Sequence, residues 1–207
     1  MKIEIKKEIA NTITHGIGIL FFLIATPFLI IKAFPLKTIY LIACIVFTIG
    51  LIMVYSASTL YHAIQKESLK KKLRVYDHIS IYMLIGGSYT PFIAKYLVYP
   101  KAGTFLIIIW CIIAIGIILK FFFTGKYDFI STASYLGLGW MAVFVGKPML
   151  IHMPDHVFYL LLAGGLCYSL GVIFYAWKKF VYHHAVWHCF VLGGSVTHFF
   201  SVWYALG

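Results

Sequence analysis

Long apolar runs separated by short polar stretches account for almost the whole chain. Seven can be marked, at residues 14–34, 38–62, 77–97, 103–123, 129–147, 156–177 and 184–204. Each is close to the ~20 residues an α-helix needs to cross ~30 Å of hydrocarbon. The runs are continuous, whereas the strands of a membrane β-barrel read as alternating segments of ~10 residues. In lipid every backbone N–H and C=O has to be satisfied within the protein, and a helix does this inside one segment. The pattern therefore predicts an all-α integral membrane protein, one seven-helix transmembrane bundle over residues 1–207. The fifth run is the weakest, interrupted by Ser131, Thr132, Ser134, Tyr135, Gly137 and Gly139. Pro27 and Pro91 lie inside runs and are candidate kinks.

Composition narrows the class. Hydrophobic residues make up 62% of the chain and charged residues 11%, too little polar surface to cover a soluble core. The amino-terminal stretch MKIEIKKEIANTITHGIG has acidic residues where a secretory leader would be basic, and no A-x-A site follows, so the first run is expected to be retained. Cys44, Cys111, Cys167 and Cys189 all fall within apolar runs and show no C-x-x-C spacing; they are expected to be buried as small hydrophobes.

A net charge of +11 invites a nucleic-acid partner, but the basic residues lie between the apolar runs and form no basic tail, so none is expected. They act instead as topology signals. Lys2, Lys6, Lys7, Lys66, Lys70, Lys71, Lys72, Arg74, Lys120, Lys126, Lys178 and Lys179 fall to one side of a seven-span chain; only Lys32, Lys37, Lys95, Lys101 and Lys147 fall to the other. The richer side is expected to be cytoplasmic, with the amino terminus inside and the carboxyl terminus outside.

With only six acidic residues in the chain, the depth of each ionisable group carries information. His62 ends the second run, and Ser58 lies one turn earlier on the same face. Asp77 opens the third run, as a proton-handling group, a helix N-cap, or both. His184 and His188 open the last run, at i and i+4 on one face. All five fall in one layer near the cytoplasmic side. His62, His184 and His188 offer three nitrogen ligands, which leaves one position of a tetrahedral zinc site open for chemistry. Asp77 would then handle a proton and Ser58 would steady an oxyanion.

Glu8, Asn11 and His15 share a stripe on the first helix and are expected to support the site or the fold rather than ligate; Asn11 could also cap that helix. His78 should point about 100° away from Asp77. His198, ten residues beyond His188 and so about 15 Å deeper, should not reach the same ion. Asp128 is expected to pair with the neighbouring Lys126.

At these residues the chain resembles the hemolysin III family, the bacterial branch of the progestin and adipoQ receptor group. The matching stretches are EIANTITHGIG (8–18), SASTLYH (56–62), YDHISIYMLIGGSYTPF (76–92) and HHAVWHCFVLGGSVTHFF (183–200). The resemblance runs over nearly the whole chain and implies seven helices. The wider group includes alkaline ceramidases, which are similar in carrying Ser and His on the second helix, Asp on the third and two His on the last. By that likeness three histidines hold zinc and the activity is hydrolysis of a lipid amide, which maps onto Ser58, His62, Asp77, His184 and His188. Three functions follow as expectations: a zinc-dependent hydrolase of a membrane lipid, a pore-forming cytolysin, or a sensor of lipid state with structural zinc.

Overall fold

The computed structural model describes residues 3–207. Lys2, counted above on the richer basic side, lies outside them. The described residues are helical with no strand: α1 (Ile3–Ala33), α2 (Thr38–Ala63), α3 (Glu67–Tyr96), α4 (Lys101–Phe123), α5 (Asp128–Gly139), a 3-10 turn (Met141–Val145), α6 (Gly146–Leu150), α7 (Asp155–Ala176) and α8 (His183–Ala205). Connections of a few residues make sequence neighbours antiparallel. The most extensive packing is of α2 on α3, then α7 on α8 and α1 on α2; α8 also closes back against α1. That last contact puts the first and last helices side by side.

Among the described residues six segments are long and apolar enough to cross a membrane, the weak fifth run among them as Asp128–Leu150. α3 is not one of the six: its first turns carry Glu67, Lys70, Lys71, Lys72 and Arg74. It starts ten residues before the apolar run at residue 77, so Asp77 stands three turns inside the helix and cannot be its N-cap. Asn11 is likewise inside α1 and caps nothing. Pro27 and Pro91 sit within uninterrupted helices.

The weak fifth run is broken. α5 stops at Gly139, and the chain passes through the 3-10 turn before α6. The Tyr89 hydroxyl of α3 bridges the break: it lies 2.9 Å from the carbonyl oxygen of Leu138 and 2.8 Å from that of Gly139, and accepts the Ala142 N–H at 2.9 Å. One phenol thus meets backbone groups that a continuous helix would have paired internally.

Large apolar side chains face outward along the helices, as lipid-facing surfaces require; Phe34, Phe122 and Phe129 are examples. The core runs between α1, α2, α3 and α8 through Phe22, Phe47, Leu51, Tyr55 and Phe199. Helix approach is closest where α2 meets α3. A Cβ on Gly50 would lie 2.7 Å from the Met83 carbonyl oxygen, so only glycine permits this contact.

Three expectations are corrected. Only Cys44 is buried; Cys111 and Cys189 are exposed and Cys167 is intermediate, because their apolar runs turn those positions outward. Lys120 is not a loop charge: it lies in the last turn of α4, 4% exposed, with its ammonium group against His78 Nδ1 at 3.3 Å and Ser131 Oγ. Asp128 pairs with Arg74 at 3.5 Å, while Lys126 sits over the ring of Tyr127.

Candidate metal centre

The end of α2 and the start of α8 meet at one end of the bundle. His62 comes from the last turn of α2, and His184 and His188 from the first two turns of α8. One nitrogen from each of the three converges with the others to within 4.8 Å. Their ring centroids stand 4.6–5.2 Å apart. The expected triad is therefore brought together. His62 and His188 are buried and His184 is half-buried.

The hydrogen bonds on the far side of each ring assign the free nitrogens. His62 Nδ1 lies 2.8 Å from Glu8 Oε2, an acceptor, so Nδ1–H is the donor there. The Asn11 side-chain amide approaches the same nitrogen at 3.4 Å, a longer contact that adds nothing once Nδ1 carries the proton. His188 Nδ1 faces the Asn11 carbonyl oxygen at 3.3 Å and Thr14 Oγ1 at 3.1 Å. The Thr14 hydroxyl proton is spent on that same carbonyl at 2.9 Å, so Nδ1–H of His188 donates there too. Both rings are thereby held in the tautomer that leaves Nε2 with its lone pair.

The Nε2 atoms of His62, His184 and His188 are all buried and have no hydrogen-bond partner among the described residues. An unpaired buried polar atom costs ~1–3 kcal/mol, and three on one spot is an expensive arrangement unless something binds there. A metal ion fits. Nitrogens at ~2.0–2.1 Å from one tetrahedral ion stand ~3.3 Å apart, so the widest pair has to close by roughly 1.5 Å at most. Imidazole ligands backed by a carboxylate and a backbone carbonyl are a common supporting arrangement for a metal.

Glu8 and Asn11 thus stand behind the ligands, as their stripe on α1 foretold. Thr14 was not foreseen; it lies three residues after Asn11 on the same stripe, which is the signal that would have found it. His15 is nearly fully buried and lies flat on His188, with ring centroids 3.6 Å apart and 22° between planes. Gly18 leaves room below it for the ring of Tyr55, which a Cβ would strike at 2.3 Å.

Asp77 and Ser58 lie on adjacent faces of α3 and α2. The Asp77 carboxylate has His62 and the Ser58 hydroxyl among its polar neighbours, with Arg74 one turn before it. Ser58 is fully buried. His78 meets Lys120 and is not one of the converging histidines, and the Tyr135 hydroxyl donates to its carbonyl at 3.0 Å. His198 bonds the Leu161 carbonyl through Nε2 at 3.1 Å and takes no part in the cluster. An open groove of about 570 Å³, bounded by Ile5, Glu8, Ile9 and Thr12 of α1, His62 and Lys70, reaches the outer side of His62.

A family model described as "Haemolysin-III related" matches residues 3–199. The chain is 43% identical to a "Hemolysin-3 homolog" of Bacillus subtilis over 199 residues, 96% of this chain and 93% of that protein. It is also 43% identical to "Hemolysin-3" of Bacillus cereus, over 96% of this chain and 91% of the relative. A more distant likeness, 29% identity over 166 residues, joins it to the human "Monocyte to macrophage differentiation factor", covering 76% of this chain and 68% of the human one.

Proposed function

The chain belongs to the haemolysin-III-related family of multi-pass membrane proteins, and from that premise we propose that it is a zinc-dependent hydrolase of a lipid amide or ester. The observation that carries the reading is the convergence of one nitrogen from each of three imidazoles whose Nε2 atoms are all buried and unpartnered, two of them on rings whose tautomer is set from behind. Three neutral imidazoles with no thiolate form a donor set suited to zinc, and three protein ligands match its catalytic rather than its structural sites. The three histidines would hold the ion; when bound, it supplies Lewis acidity and a nucleophile at neutral pH.

The chain's own residues do the rest. Glu8 keeps the proton of His62 on Nδ1, so that Nε2 points its lone pair inward. Asp77, freed from any capping duty, accepts a proton from water as it adds to the carbonyl and passes it to the leaving amine or alcohol. Ser58 donates a hydrogen bond to the carbonyl oxygen as negative charge builds there. The acyl–heteroatom bond breaks, giving a fatty acid and an amine or alcohol.

The reading places α3 as a seventh span between α2 and α4, its charged first turns standing clear of the hydrocarbon. The triad then lies near the cytoplasmic side, under the basic residues of the α2–α3 connection. A membrane lipid is the substrate class that suits this place, because the outward faces of the helices are apolar and the groove beside His62 opens along Ile5, Ile9 and Ile13 of α1, with Glu4, Glu8 and Lys70 on its polar side.

Purified, zinc-loaded protein in vesicles carrying a fluorescent N-acyl lipid tests this. Fatty-acid release is expected to stop with 1,10-phenanthroline, to return with zinc, and to fall about 10²-fold in Ser58→Ala. Release no faster than in protein-free vesicles overturns the hydrolase. Dye leakage in the same vesicles without lipid cleavage would favour the lytic activity that the names of the Bacillus relatives carry.

A further inference from the structure

His15 is the buried imidazole beside the triad to which the mechanism above gives no task. It is 2% exposed, and neither Nδ1 nor Nε2 has a hydrogen-bond partner among the described residues. A neutral imidazole always carries one N–H and one lone pair. Both are left unmet in an interior where an unmet donor alone is costly. The ring is not free to turn away from this position. Its face lies on His188 at 3.6 Å, and the edge of Tyr55 stands against it at 5.0 Å and 68°. Its nitrogens are therefore held at the level of the triad, displaced to one side of the His188 plane. Yet His15 is not among the residues whose ligand atoms converge, so it is no fourth protein ligand.

We propose that His15 is a ligand-binding residue of this site: the N–H of its ring donates a hydrogen bond to the oxygen of the small group, water or a lipid carbonyl, that shares the space enclosed by the three histidines. The inference rests on the metal reading and adds a contact to it. A group entering that space meets, beside the wall formed by His188, the His15 ring of α1 stacked on it. It finds there an N–H donor held on a single rigid ring. That chemistry selects a compact neutral oxygen function of the amide, ester or water type.

The test uses the purified full chain loaded with cobalt, whose visible absorption reports its ligands, and acetohydroxamate as a small oxygen-donor probe. His15→Phe keeps a flat ring on His188 and removes both nitrogens; His15→Gln keeps an N–H and a carbonyl. Both variants are expected to take up cobalt as the wild type does. Acetohydroxamate binding, titrated on the cobalt spectrum, is expected to weaken about tenfold in His15→Phe, the loss of one useful hydrogen bond, and to recover in part in His15→Gln. Should His15→Phe not elute as a single species, His15→Leu is read in its place.

Binding as tight as wild type in His15→Phe overturns the proposal and leaves the ring as a stacking wall. Loss of cobalt from both variants overturns it as well, by making His15 part of the metal's own support. A wild type that takes up no cobalt defeats the metal reading first and this inference with it. That result is distinct from a loaded wild type whose His15→Phe variant binds the probe unchanged.

Discussion

Glu8 is the residue that most visibly supports the histidine cluster from outside. Its carboxylate accepts the His62 Nδ1–H at 2.8 Å and is itself met by Lys70 at 3.2 Å. Glu8→Gln keeps the shape and removes the negative charge that stands behind the His62 ring. Metal affinity is expected to fall about 10–100-fold, read by competition with a chromophoric chelator. An unchanged affinity would mean that the carboxylate is a surface partner of Lys70 alone. At this scale the sequence was informative where periodicity applied. The i, i+4 pair of His184 and His188, Ser58 one turn before His62, and the stripe of Glu8, Asn11 and His15 all follow from helical spacing. Which stripe member touches which ring did not, because that depends on how α1 rotates against α2 and α8. For the same reason nothing foretold that Lys120 turns inward to His78 and Ser131.

Among the elements, the fifth run shows how a polar, glycine-containing segment is accommodated. Gly137 and Gly139 weaken the helix, and the Tyr89 hydroxyl serves the groups at the break. Tyr89→Phe leaves Leu138, Gly139 and Ala142 with unmet backbone groups and is expected to destabilise the protein by ~1–3 kcal/mol. A thermal melt in detergent reads this as a transition lowered by several degrees, with α-helix content at low temperature unchanged. No change in the melt would show that lipid, detergent or water satisfies the break equally well. The weakness of this run was legible in its Ser, Thr and Gly content; the exact break was not, since it is fixed by a phenol from α3. The start of α3 was missed for a different reason. Hydropathy sees only where a segment leaves lipid, and helical hydrogen bonding continues through the charged turns that precede Asp77. A cap was one of the two readings open for Asp77 because the apolar run begins there, whereas the helix begins at Glu67.

Across the whole molecule, the apolar runs and their short connections fixed the helical class and the order of the bundle, and they brought α1 and α8 together at the end where α2 finishes. Sidedness rests on the distribution of lysine and arginine. In a background with the four cysteines replaced by alanine, His152→Cys between α6 and α7 is expected to react with a membrane-impermeant maleimide in intact cells. Gln65→Cys between α2 and α3 is expected to react only after permeabilisation. The reverse pattern would turn the bundle over and place the triad at the opposite membrane face. Independently of sidedness, substrate and chemistry, three imidazoles from α2 and α8 either share one ion or do not. Elemental analysis of the purified wild-type chain beside His188→Ala decides this. About one zinc per wild-type chain, lost from the variant while its helix content stays intact, is the expected result. Wild-type protein that carries no metal after zinc loading, or a variant that keeps its full complement, would contradict it.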